Sequence, residues 1–135
     1  MNLSDVRALI IDDSILKAMG IARALEFSGI RESVRVRDQE AGFEALYKGM
    51  EEGKPFHLLV TDMHYPLTAG AEPDSAAGFK LLDRLEKECI SIPVIICSSR
   101  KFQEPRAIGS VQYHEERDVN WDFRELLNNW KKMEE

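Results

Sequence analysis

The sequence predicts an α/β domain built on a doubly wound parallel sheet of five strands in the order 2-1-3-4-5, with a shortened fourth helix. Three observations carry this. Ala8-Leu9-Ile10-Ile11, Leu58-Leu59-Val60 and Pro93-Val94-Ile95-Ile96-Cys97 are short runs, apolar throughout, as strands buried on both faces of a parallel sheet are. Segments with helical spacing of apolar residues lie between them. The runs stop on Asp12-Asp13-Ser14, Thr61-Asp62 and Ser98-Ser99, residues that favour turns and helix starts.

The first run is strand one. From Ser14 to Phe27, Ile15, Met19, Ala22 and Leu25 fall near helical spacing, and Gly29 is a natural stop. Ser33-Val34-Arg35-Val36-Arg37 alternates as an edge strand does. Glu40 to Met50 sets Ala41, Ala45 and Leu46 on one helix face. After the second run comes an irregular stretch from Met63 to Asp74 with Pro66, Gly70 and Pro73, long enough to be functional or mobile. Ser75 to Glu88 aligns Gly78, Leu81, Leu82 and Leu85, with Asp74 or Ser75 as N-cap. The third run is strand four. Arg100 to Gly109, mostly polar and interrupted by Pro105, leaves room only for a small helix. Val111-Gln112-Tyr113 is strand five. Phe123, Leu126, Leu127 and Trp130, entered through Asp118 or Asn120, make the last helix. Right-handed crossovers wind this order into a flavodoxin-like sheet.

With 135 residues and no linker or repeat, a single domain spanning 1–135 is expected. Hydrophobic residues make up 44%, too many for a disordered chain. The net charge of −6 argues against direct nucleic-acid binding, which needs a basic face. No apolar run reaches the roughly 20 residues of a membrane span. Met-Asn-Leu-Ser-Asp is not a signal peptide. Cys89 and Cys97 form no metal spacing or disulfide framework, so the expected location is the reducing cytoplasm.

Ligands of open α/β sheets bind beyond the carboxyl ends of the strands, where the strand order reverses. In the order 2-1-3-4-5, Asp12, Asp13 and Asp62 converge there. Three carboxylates in one crevice repel unless a cation or proton joins them. A hard divalent ion, most simply Mg²⁺, resolves the conflict. A carboxylate beside it can attack phosphorus and become an aspartyl phosphate, with Ser98 near enough to donate a hydrogen bond. The chain has no GxGxxG and no Walker-type loop, so no nucleotide cofactor is expected.

These residues resemble the receiver domain of bacterial two-component response regulators. The matching stretches are Leu9-Ile10-Ile11-Asp12-Asp13-Ser14, Leu58-Leu59-Val60-Thr61-Asp62-Met63 with Pro66, and Pro93-Val94-Ile95-Ile96-Cys97-Ser98-Ser99. The resemblance implies Asp62 as phosphoacceptor. It implies Asp12, Asp13 and Asp62, with the backbone carbonyl of His64, as Mg²⁺ ligands. Ser98 is then the switch hydroxyl, Ser99 the small neighbour that leaves room for the phosphoryl group, and Tyr113 the aromatic of the fifth strand. The implied partner is a histidine kinase or phosphotransfer protein.

The chain departs from that family in three places. The lysine that the family carries after its fifth strand is absent: the ungapped register puts Glu116 and Arg117 there, which leaves Arg117 or Lys101 to substitute. The segment from Asp62 to Gly78 is longer than the family's, and Glu72 and Asp74 could overhang the site. The region of the fourth helix is short or irregular. The leading expectation is therefore a phosphorelay receiver, stand-alone or the first part of a larger regulator, without enzymatic turnover beyond self-catalysed transfer onto Asp62. The alternative is a receiver-like interaction module that phosphorylation does not switch. A phosphohydrolase of the haloacid-dehalogenase type ranks far behind, because it needs an Asp where His64 stands.

Overall fold

A computed structural model describes residues 1–135. The elements are β1 (Arg7–Ile11), α1 (Ile15–Phe27), β2 (Glu32–Val36), α2 (Gln39–Glu51), β3 (Leu58–Thr61), β4 (Tyr65–Pro66), β5 (Pro73–Asp74), α3 (Ala77–Lys87), β6 (Val94–Ser98), β7 (Gly109–Gln112) and α4 (Asn120–Glu134). The main sheet has five parallel strands in the order β2-β1-β3-β6-β7, which is the expected order once the two short strands are set aside. No helix is long and apolar enough to cross a membrane.

Alternation along the central strands sorts their side chains into two layers. Ala8, Ile10, Leu58, Val60, Ile95 and Cys97 face α1 and α4. Leu9, Ile11, Leu59, Val94 and Ile96 face α2 and α3. All of these are at most 1% exposed, so the central strands are covered on both sides.

Four local expectations need correction. The inward face of α1 consists of Lys17, Ala18, Ile21, Ala24 and Leu25, whereas Ile15 and Met19 are 61% and 51% exposed. The inward face of α2 runs through Gln39, Gly42, Phe43, Leu46 and Gly49, with Ala41 and Ala45 only half-buried. The irregular stretch after β3 holds a small antiparallel ladder, Tyr65 opposite Asp74 and Pro66 opposite Pro73. The shortened fourth helix is shortened to nothing. Between β6 and β7 there is one turn, closed by Ala107 N–H on the Glu104 carbonyl at 3.0 Å.

Loop contacts cover the gap that this helix leaves. Phe102 meets Phe79 of α3 edge to face, with ring centroids 5.8 Å apart, and its N–H donates to Ser110 Oγ at 3.0 Å. Arg106 pairs with Asp83 and Glu86 of α3 and with Glu104. The helix ends follow ordinary chemistry. Ser14 and Asp38 cap α1 and α2 with their side chains, and Gly29, at φ 108°, ends α1 in the left-handed region. α3 starts at Ala77, two residues later than expected. Its N-cap is Ala76, without a side-chain cap, although Asp74 Oδ1 accepts from the Ala76 N–H at 2.8 Å. α4 likewise follows Val119, and neither Asp118 nor Asn120 caps it.

Candidate functional site

The site lies at the carboxyl ends of β1 and β3. Ile11 faces the α2–α3 layer, so alternation turns Asp12 toward α1. Asp12 is fully buried. Its N–H donates to the Val36 carbonyl at 3.1 Å, Arg35 Nε donates to its carbonyl at 2.9 Å, and its Oδ1 accepts from the Ser14 N–H at 2.9 Å. Its Oδ2 has one partner, the ammonium of Lys17. Asp13 is exposed. Asp62 donates its N–H to the Ile11 carbonyl at 3.1 Å and accepts the Met63 N–H on Oδ1 at 2.6 Å. Oxygens of the three carboxylates lie within 4.8 Å of one another, which is the convergence expected from the sequence.

The cation among them is one that sequence reasoning missed. Lys17, in the first turn of α1, places Nζ 3.0 Å from Asp12 Oδ2 and 3.1 Å from Asp62 Oδ1. Its own N–H donates to the capping Ser14 Oγ at 3.3 Å, so one hydroxyl fixes both the start of the helix and the root of the lysine. Only 7% of Lys17 is exposed, and a lysine this buried requires pairing. Burial alone would push its ammonium down, but Asp12 and then Asp62 outweigh it and hold Lys17 above the ordinary lysine value. Burial also lifts the Asp12 carboxyl above the usual carboxylate range, against the pull of Lys17 and the Ser14 N–H. The two directions favour opposite protonation states of one pair. The geometry decides for the ionised form, since Nζ reaches both carboxylates at ion-pair distance.

Neither expected substitute enters the site. Arg117 pairs with Asp122 at 2.8 Å and donates to the Gln112 carbonyl at 3.3 Å, and Lys101 and Glu116 are exposed. Glu72 is exposed, and Asp74 is tied to Lys80 of α3, so these acids belong to the hairpin. Tyr113 is half-buried and packs toward α1, where a Cβ on Gly20 would meet its ring at 3.6 Å. Lys17 Nζ stands 5.8 Å from its centroid.

Ser98 is the buried end of β6, and its carbonyl accepts the Tyr113 N–H at 2.7 Å. Ser99 is exposed, with its carbonyl bonded to Gln112 Nε2 at 3.1 Å. The ladder pairs Ile96 with Thr61, so Ser98 and Asp62 leave adjacent strands at the same edge. His64 is exposed just past Asp62, and His114 is exposed. His57 is structural: its Nδ1 accepts the Arg7 N–H at 2.9 Å.

The floor under Asp62 is tightly built. Tyr65 is fully buried, and its hydroxyl oxygen accepts from Thr61 Oγ1 at 2.9 Å and from Gln39 Nε2 at 3.4 Å. Burial pushes its phenol up to about 12, so it stays a neutral hydrogen-bonding group. Gly78 lets α3 approach, because a Cβ there would lie 2.9 Å from the Asp62 carbonyl oxygen.

One ammonium against three carboxylates leaves the pocket negative. The convergent set of carboxylate oxygens, still in excess of the one ammonium, fits a hard divalent cation such as Mg²⁺.

No family model and no curated protein matches the chain. Solved structures do. A response regulator receiver domain protein from Clostridium thermocellum aligns at TM-score 0.61 and 18% identity, over 95% of this chain and 98% of that one. TrrA from Thermotoga maritima, in complex with Mg²⁺-BeF, aligns at TM-score 0.66 and 16% identity, over 95% and 98%. RcsB from Salmonella enterica serovar Typhimurium, bound to a promoter, aligns at TM-score 0.70 and 18% identity, and the match covers 95% of this chain but 62% of RcsB. With β2-β1-β3-β6-β7 and the acids at its carboxyl edge, the chain has the receiver-domain fold of response regulators.

Proposed function

We propose that the chain is a phosphorelay signalling receiver that accepts a phosphoryl group on Asp62 from a histidine kinase or phosphotransfer protein. The observation that carries this reading is the convergence of Asp12, Asp13 and Asp62 within 4.8 Å at the strand ends. Asp12, Asp13, Asp62 and the His64 carbonyl would hold Mg²⁺, which neutralises charge on phosphoryl oxygens when bound. One carboxylate oxygen of Asp62 forms the new O–P bond as the donor's bond to phosphorus breaks, and the donor's leaving group keeps the electron pair. Ser98 donates a hydrogen bond to the transferred group, and Ser99 leaves it room. The chain turns over no other substrate, works in the cytoplasm, and contacts neither nucleic acid nor membrane directly. The fold it shares with TrrA, which was solved with Mg²⁺-BeF, supports this reading.

The test is intact mass after incubation with Mg²⁺ and acetyl phosphate, beside Asp62→Asn. The expected result is one phosphoryl group on the wild type and none on the variant. A second reading, an interaction module that phosphorylation does not switch, is favoured by one observation: Lys17 already pairs with two of the three carboxylates. No phosphoryl gain and no Mg²⁺ binding would select it.

A further inference from the structure

We infer that Lys17 is the cation that pairs with the phosphoryl group on Asp62, supplied from the first turn of α1 in place of the missing lysine after β7. The inference rests on Asp62 being the acceptor.

Three observations support it. Lys17 Nζ lies 3.1 Å from Asp62 Oδ1, the carboxylate whose oxygen would carry phosphorus. The other two cations at issue are engaged or turned away: Arg117 is held by Asp122 and the Gln112 carbonyl, and Lys101 is exposed. Lys17 is also anchored at both ends, by its N–H on Ser14 Oγ at 3.3 Å and by its ammonium on Asp12 Oδ2 at 3.0 Å. A long side chain held in this way has already lost the rotamer freedom that a free lysine would lose on meeting an anion.

The chemistry balances without a further reactant. As Asp62 forms its O–P bond and the donor's leaving group (acetate, when acetyl phosphate is the donor) departs with the electron pair, the negative charge at Asp62 passes to the phosphoryl oxygens. The ammonium keeps its protons and moves its hydrogen bond from the carboxylate oxygen to a phosphoryl oxygen. Its link to Asp12 is kept, so Lys17 pivots about that carboxylate and stays in the site. Tyr113, 5.8 Å from Nζ and packed at Gly20, is the side chain next in line to feel the pivot. The readout of phosphorylation then begins on α1, on the side of the sheet away from the lost helix.

The test compares wild type, Lys17→Met, Lys17→Arg and Arg117→Ala with acetyl phosphate and Mg²⁺, by the initial rate of phosphoryl gain in intact mass. Thermal melts establish that each variant is folded. Lys17→Met is expected to slow by at least about tenfold, Lys17→Arg to fall between, and Arg117→Ala to stay within about twofold of wild type. A second measurement needs no variant: amide shifts of the wild type on adding beryllofluoride with Mg²⁺. Shifts at residues 17–20 and 113 larger than those at 115–118 are expected. Equal rates for Lys17→Met and wild type, an Arg117→Ala defect as large, or shifts confined to 115–118 would overturn the inference and leave Asp62 as acceptor. A wild type that gains no phosphoryl group overturns the proposed function itself, and this inference with it.

Discussion

The two sides of the sheet are closed by different means. On the α1–α4 side, two long helices bury a continuous cluster from Ala8 through Phe123 to Trp130. On the other side α2 and α3 reach only part of the way, and a loop covers the end over β6 and β7. That loop holds on through one aromatic contact and one arginine: Phe102 on Phe79, and Arg106 among Asp83, Glu86 and Glu104. The difference shows how a doubly wound sheet survives the loss of a helix. Apolar area can be covered by a single ring and a cluster of ion pairs where no helix is present. The cation of the acidic site comes from the side that kept its helices.

The largest effect tests the intact side. Phe123 of α4 is fully buried in its cluster, so Phe123→Ala is expected to cost about 3–5 kcal/mol through lost transfer and the cavity left behind. Urea denaturation measures it. On the loop side, Phe102 is only partly buried, and Phe102→Ala is expected to cost about 1–2 kcal/mol. Equal costs would abolish the contrast. Native-state hydrogen exchange sharpens it: the Phe102 amide, bonded only to Ser110 Oγ, should exchange well before the amides of α1. Protection of Phe102 as strong as that of Ile21 would show that the loop is as firm as the helix it replaces.

A comparable cost is expected where the two sides meet the site. A Cβ on Gly78 would lie 2.9 Å from the Asp62 carbonyl oxygen and 3.0 Å from Met63 Sδ. The methionine can move, but the backbone oxygen cannot without displacing Asp62. Gly78→Ala gains helix propensity yet should lose about 1–2 kcal/mol net, and phosphoryl gain on Asp62 should fall with it. A variant as stable and as active as wild type would show that α3 does not set the position of Asp62.

Most of this fold was legible because the strongest signals are local. Leu58-Leu59-Val60 and Val94-Ile95-Ile96 can be little other than doubly buried strands, and their polar stops marked Asp12, Asp62 and Ser98. Lys17 was not legible from motif matching, since the family's lysine belongs elsewhere in the chain. A physical signal was nevertheless present. Ala18, Ile21, Ala24 and Leu25 form the inward stripe of α1, in which the two alanines let the helix lie close to the sheet, and Lys17 stands at its head beside the acids. Ile15 and Met19 obscured it because they are larger and more apolar than Ala18 and Ala24, yet they point to solvent. The loop after β6 was half legible: Pro105 and the polar run excluded a full helix, but nothing local states that Phe102 and Arg106 would take over as cover.

The smallest expected effect concerns the end of α3, on the side that lost its neighbour. Cys89 is the one residue other than glycine with positive φ, at 57°. It follows the last turn of α3, where Ile90 N–H closes on the Leu85 carbonyl at 2.9 Å, a position that glycine usually fills. Cys89→Gly removes the left-handed cost but loosens the unfolded chain, so a net gain of about 0.5–1 kcal/mol is expected. The same variant sorts the two thiols. Cys89 is exposed, whereas Cys97 lies buried in β6, where desolvation raises its thiol to about 12. In the native protein at pH 8, a disulfide reagent should modify one thiol quickly, and Cys89→Gly should abolish that phase. Cys97 should react only on unfolding, at a rate that follows opening of the α1–α4 side. A fast Cys97 would mean that the helical side opens as readily as the loop side, and the asymmetry of cover would carry no asymmetry of motion.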